Sequence, residues 1–319
     1  MSDPDFSQFA AQIRDFEHLM TPAGRVPWIT RFIRPAHPVD VVLYLGCNIL
    51  RTAHIGCDAV ALFEALGIHF TAVAGPQFCC GIVHHRAGDI EGANGFARAT
   101  AAKFEAYGAK QIVIWCPTCK LRFEELIRKD VIPKISMVQA SEFLAAKTAQ
   151  FDFPRLPPVR LAVHTHVGSS QREAEAKSAI KLLKAIPGVE VVGVYSSPDL
   201  GYQCAPLLLP QLSPERFRSI LDNLIQEARR MRCDKLVTLY HSCHRELCGV
   251  GEEALPIQNY VSVMAEALGC AHRDYFQEFK KLNAPDSIAA ISRPMWESHG
   301  LTEEQALTLA RKYFAPKKI

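Results

Sequence analysis

Apolar residues fall along this chain in short unbroken runs: VVLYLG at 41–46, HFTAVAG at 69–75, QIVIWC at 111–116, VRLAVHTH at 159–166, VEVVGVY at 189–195 and KLVTLY at 235–240. Continuous runs rich in β-branched and aromatic residues predict strands covered on both faces, as in parallel sheets. Between them lie stretches with helical spacing: around 58–66, 91–108, after Cys119, at 174–186 and at 214–231. This alternation predicts an α/β protein built from βαβ units. A further helix is expected at 5–19, and the prolines and glycine of 21–40 read as an irregular connector. The stripes YVSVMAEALG, YFQEFKKL and TEEQALTLARKYF make the C-terminal region helical, its apolar faces serving core packing or docking.

The order of elements repeats. Strand, helix, strand, helix and strand over 41–116 return over 159–240, which implies a duplicated fold with two pseudo-symmetric Rossmann-like halves and helical extensions at both termini. The expected boundaries are 1–37 for the first helix and connector, 38–150 and 151–255 for the halves, and 256–319 for the C-terminal extension.

Cysteines mark the ends of the first-half strands. Cys47 follows VVLYLG, Cys79 and Cys80 precede Gly81, and Cys116-Pro-Thr-Cys119 follows the third strand. Strand ends are where open parallel sheets bind ligands, because the loops converge there and helix N-termini offer N–H groups to anions. Four ligands already close a zinc shell, and adjacent cysteines enter one tetrahedron only with strain, so a fifth thiol points to a polynuclear iron–sulfur centre. A single zinc ion is the alternative.

The strand-then-cysteine VVLYLGC, the CCG triplet and the strand running into WCPTC resemble, in order and spacing, the CCG domain of the B-subunit family of heterodisulfide reductases. That resemblance implies a noncubane [4Fe-4S] cluster held by Cys47, Cys79, Cys80, Cys116 and Cys119, one per chain, making or breaking disulfide-type bonds. The fold it implies is a duplicated CCG domain. It also implies a cytoplasmic complex whose other members are a ferredoxin-like iron–sulfur subunit, the C type, and a flavin-containing subunit, the A type, with a lipoate-binding protein as sulfur carrier. The chain is most similar to a B-type subunit of the bacterial sulfur-oxidising heterodisulfide reductase-like complexes. Because iron–sulfur subunits of lactate and glycolate oxidation carry CCG domains too, a purely electron-transferring or structural role is the alternative to an oxidoreductase acting on sulfur groups.

The second half departs from that pattern. Aligning the halves by residue counts sets His166 against Cys47, Gln203-Cys204 against Cys79-Cys80, and His241-Ser-Cys243-His244 against Cys116 to Cys119. With only two cysteines there, a second cluster is not expected. Three readings of His164, His166, Cys204, His241, Cys243 and His244 stay open: a polar remnant lining a substrate cavity, a His/Cys pocket for substrate sulfur, or a replacement metal site. Cleaving an S–S bond needs protons, and His166, His241, His244 and His84 are the expected carriers, His85 lying beside His84. Cys57, Cys233 and Cys270 read as small buried hydrophobes, while Cys248 lies one helical turn beyond His244.

Composition narrows the class. The formal net charge is +3, which predicts no nucleic-acid partner. An odd total of 11 cysteines, half in metal-like clusters, argues for reduced thiols in a reducing compartment over a disulfide framework. No run reaches the roughly 20 apolar residues that span a bilayer, and the first residues lack a secretory pattern, so a cytoplasmic protein with no membrane span is expected.

Overall fold

The computed structural model describes residues 6–24, 37–206, 209–249 and 255–315. Residues 25–36 of the connector read at 21–40 lie outside them. Two compact units emerge: Met1–Ala140 with Leu282–Ile319, and Ser141–Lys281.

The first unit holds a four-stranded sheet of β1 (Val41–Gly46), β2 (Phe70–Ala74), β3 (Gln111–Ile114) and β4 (Met137–Gln139), ordered β2-β1-β3-β4. Every pairing is parallel. All six residues of β1 are buried, as its unbroken apolar run requires for a strand between two layers of helices. The helices are α1 (Phe6–Met20), α2 (Ala53–Ala65), α3 (Ile82–Arg86), α4 (Ile90–Ala106) and α5 (Pro117–Arg128). On the α4 and α5 side, Tyr44, Phe104 and Phe123 meet edge to face, with ring centroids 5.3 to 5.9 Å apart. Such geometry sets the positive ring edge on the negative face.

The second unit repeats this plan after α6 (Ala140–Ala146). Its strands are β5 (Val159–His164), β6 (Val189–Tyr195), β7 (Lys235–Thr238) and β8 (Ile257–Asn259), ordered β6-β5-β7-β8 and all parallel. Its further helices are α7 (Ser170–Lys184), α8 (Pro214–Arg230), α9 (His241–Leu247), α10 (Tyr260–Ala267) and α11 (Tyr275–Leu282). The duplicated α/β architecture is therefore present, one sheet per unit. Helices α7 and α8 start at serine caps, Ser169 and Ser213, whose side chains accept the N–H groups of Arg172 and Arg216.

The terminal extensions are helical and belong together. After α12 (Pro285–Ile291) and α13 (Arg293–Ser298), α14 (Glu303–Phe314) opens with a capping box between Thr302 and Gln305. Phe16 of α1 packs on Tyr313 and Phe314, Asp15 pairs with Lys312, and His299 Nε2 donates to the Thr21 carbonyl at 2.8 Å.

Candidate metal centre

Each of the five first-half cysteines sits just beyond a strand end. Cys47 follows β1. A 3-10 turn at Pro76–Phe78 carries the chain from β2 to Cys79 and Cys80, and Cys116 caps α5, which places Cys119 in that helix's first turn. Cys47, Cys79, Cys80 and Cys119 are buried and Cys116 is half-buried.

Two glycines make the convergence sterically possible. Gly81 has φ +79° and abuts α4 so closely that a Cβ would lie 2.1 Å from the Ala93 carbonyl oxygen; its N–H donates to Cys79 Sγ at 3.3 Å. Only glycine meets both conditions, which explains the third letter of CCG. At Gly46, φ +85°, a Cβ would come 3.0 Å from Cys116 Cβ and 3.7 Å from Cys119 Sγ. Tyr44, one strand pleat earlier and fully buried, donates to the Phe78 carbonyl at 2.5 Å and reaches Cys119 Sγ at 3.6 Å. Thr100 holds the Cys79 carbonyl at 2.8 Å.

Hydrogen bonding links the thiols in a chain, Cys47 to Cys79 to Cys80 to Cys119 to Cys116. Cys79 is lowered to about 3, first by Cys47 and then by Cys80, with the Gly81 N–H and the His84 charge working against burial. Its neighbours move the other way. Cys47 is raised by its bond with Cys79 and by burial, and Cys119 by its bonds with Cys116 and Cys80 and by burial. Cys80 is raised by Cys79 and burial although its bond with Cys119 pulls it down. Buried thiolates side by side repel, so one ionises and the rest keep their protons until a cationic centre ionises them all. This donor set fits a metal–sulfur centre. Arg86, within electrostatic reach of Cys80, Cys116 and Cys119, adds positive charge.

His84 is held in the same unit. Its Nδ1 meets Asp89 Oδ2 at 3.0 Å, and its ring stacks on Phe96 and leans on Phe6, centroids 4.5 and 4.6 Å away. Asp89 also caps α4 by accepting from the Gly92 N–H at 2.9 Å.

In the second unit, His164, His166, Cys204 and Cys243 meet in a buried knot whose donor atoms all lie within 4.8 Å of one another. His166 Nε2 is 3.0 Å from Cys243 Sγ, and His164 Nε2 is 3.4 Å from Cys204 Sγ. His166 Nδ1 donates to the Gly201 carbonyl at 2.8 Å. His244 is in this unit as well but turns elsewhere, with Nε2 2.8 Å from Asp274. His241 is buried at the first position of α9. Cys248 closes α9 with its Sγ against the Arg245 carbonyl, outside the knot, and burial raises its pKa. Cys57 on α2, and Cys233 and Cys270 in the connections after α8 and α10, are half-buried and not the fully buried hydrophobes expected.

Strand register gives an alignment of the halves that differs from the one that residue counts suggest. Tyr44 pairs with Ile114 and Val73, and His164 pairs with Thr238 and Tyr195. The following helices and 3-10 turns begin at equal distances, α5 matching α9 and Pro76–Phe78 matching Pro198–Leu200. His164 therefore stands at the Tyr44 position and His166 at Gly46. The five cysteine positions are taken by Val167, Gly201, Tyr202, Tyr240 and Cys243. Cys204 comes two residues after the position matching Cys80.

The CCG cysteine-rich domain family matches residues 41–124. The D subunit of dihydromethanophenazine:CoB–CoM heterodisulfide reductase from Methanosarcina barkeri is 23% identical over 77% of this chain, and that of Methanosarcina acetivorans 20% over 79%. The chain spans 63% and 64% of those curated relatives' lengths. Among solved structures, a hypothetical protein from Helicobacter pylori matches 87% of this chain and 60% of its own at TM-score 0.49 and 10% identity.

Proposed function

We propose that this chain is a heterodisulfide reductase-like CCG iron–sulfur protein and that its first unit carries the redox centre of a sulfur-handling oxidoreductase complex, a reading supported by the CCG match and the two curated relatives. The carrying observation is the gathering of Cys47, Cys79, Cys80, Cys116 and Cys119, five neighbouring thiols that cannot all ionise without a cation. A noncubane [4Fe-4S] cluster is the centre this count supports. When bound, it supplies one-electron steps and an iron that can take up a substrate thiolate.

The chain's own residues set the conditions for that chemistry. Gly46 and Gly81 leave the space, and Tyr44 fixes Phe78 and faces Cys119. Arg86 offsets the negative charge of the thiolates. Reducing a disulfide to two thiols consumes two electrons and two protons. His84, oriented by Asp89 and electrostatically linked to Cys79, is the proton carrier within this unit. Of the other expected carriers, His166 and His244 are engaged with Cys243 and Asp274, and His241 stands on α9.

Within the complex we assign the chain the B-type role, because one half has the complete thiol set and the other has not. Its partners would be a ferredoxin-like subunit of the C type and a flavin-containing one of the A type, with a lipoate-binding sulfur carrier as substrate donor. We infer work in a reducing compartment, the cytoplasm, from the clustered thiols, which must stay reduced to serve as ligands. No described helix is long and apolar enough to cross a membrane.

The test is anaerobic purification of the full chain, with iron and sulfide analysis and paramagnetic resonance before and after adding a thiol or disulfide. About four iron and four sulfide per chain are expected, with a signal that changes on addition. A chain without sulfide refutes the cluster, and a full cluster indifferent to both additions refutes sulfur chemistry in favour of plain electron transfer.

A further inference from the structure

The knot in the second unit has the marks of a built site. Its donors come from three places: His164 ends β5 and His166 follows two residues on, Cys204 lies in the loop after a 3-10 turn, and Cys243 lies in the first turn of α9. Two residues apart on extended chain, the histidines project to one side, their rings 4.8 Å apart. All four residues are at most 3% exposed.

The knot is not a remnant of a lost thiol set. By register only Cys243 stands where the first half has a ligand. His164, His166 and Cys204 occupy positions held in the first half by Tyr44, Gly46 and Ile82, so the donors were assembled at new places.

The distances choose among chemistries. A tetrahedron of two thiolates and two imidazoles at ordinary zinc bond lengths has sulfur–nitrogen edges of roughly 3.5 Å. The edges here are 3.0, 3.4 and 3.7 Å. A binuclear iron–sulfur cluster places its histidine pair and cysteine pair on different irons, which a knot closed within 4.8 Å does not accommodate. Nucleophilic catalysis by a Cys243–His166 pair requires substrate access that this burial denies.

The tautomer is also right for metal binding. A carbonyl only accepts, so the bond to Gly201 puts the proton on His166 Nδ1 and turns the lone pair of Nε2 into the knot. Such a bond from the outer ring nitrogen is how metal-binding histidines are oriented. Tyr240 packs over His166 with centroids 5.7 Å apart, and its ring lies under the buried Arg172, 4.6 Å away.

We propose that His164, His166, Cys204 and Cys243 bind one tetrahedral zinc-type divalent ion, a closed structural site that staples β5, the loop after β6 and α9 of the second unit. Four protein ligands leave no open position, so the ion serves folding and not turnover. The inference stands apart from the reading of the thiol centre.

Metal analysis of the full chain, expressed anaerobically with zinc and iron supplied, tests it. About one zinc per chain is expected beside the iron. The Cys204→Ala/Cys243→Ala chain should lose zinc at least tenfold with iron and sulfide unchanged, and the Cys47→Ser/Cys119→Ser chain should show the reverse. Because the first of these variants can fail to fold, cobalt(II) is also added to the second after zinc is stripped. It should give the intense visible bands of tetrahedral cobalt with a thiolate charge-transfer band. Zinc absent from the wild-type chain, no tetrahedral cobalt spectrum, or loss of iron and sulfide with Cys204 and Cys243 would each overturn the assignment.

Discussion

At one address the two halves make opposite choices. Gly46 leaves room for the Cys116 and Cys119 side chains, whereas His166, at the matching position, fills the space and is a donor itself. Where Cys116 stands, the second half has Tyr240, which packs against that same histidine. The change is concerted: a glycine opposite a thiol in one half, an imidazole under an aromatic ring in the other. Residues flanking a site must change together, because close-packed interiors have no slack for one partner to change alone.

The strongest way to break this comparison is to remove a thiol from the first half. Cys80→Ser or Cys119→Ser should reduce iron and sulfide from about four each to below one per chain, as measured by metal and sulfide analysis. Retention of full iron would mean that the centre lies elsewhere.

Next in size is Gly81→Ala. Left-handed strain alone costs ~1–3 kcal/mol, and the contact with the Ala93 carbonyl adds to it. Denaturant unfolding should show a loss at least that large, with iron content falling in parallel. Gly46→Ala should be milder, because a 3.0 Å contact with a side chain can relax, but it should still lower the iron content.

Tyr44→Phe sharpens the comparison further, since its counterpart His164 is a donor in the second unit. It removes one buried hydrogen bond, to the Phe78 carbonyl, at about 1 kcal/mol. Iron should stay bound while the reduction potential shifts, because contacts to cluster sulfurs tune it. An unchanged potential in a titration would reduce Tyr44 to packing. The smallest effect is expected from Thr100→Val, which leaves the Cys79 carbonyl without its 2.8 Å partner at ~0.5–1.5 kcal/mol, seen as a small drop in melting temperature.

Much of this was legible in the sequence. The six long apolar runs became strands: β1 is buried along its whole length, as a strand covered on both faces must be, whereas β6 at the edge of its sheet keeps an apolar run although it is half-buried or exposed throughout. The short β4 and β8, MVQ and IQN, were not legible: three residues, one or two of them polar, carry no period. The five thiols were legible because their strand ends are visible in the chain. Tyr44 was not, being one more aromatic in an apolar run, although a buried tyrosine hydroxyl must find a partner. The histidines and cysteines of the second half stand out in the chain, yet residue counts match them to the wrong positions of the first. Strand ends fix the correspondence, and a loop that reaches Cys204 two residues late hides it.

The first unit is split in sequence, with all of the second inserted between Ala140 and Leu282. On the ribosome the second unit is finished first, as a continuous segment with its own sheet. The thiol-bearing unit must wait for α12 to α14, which complete the packing around α1. Its closure joins segments from opposite ends of the chain, a slow long-range step. Phe6 of α1 leans on His84, which is electrostatically linked to Cys79, so the packing beside the thiols is complete only once residues 285–314 have been made and hold α1.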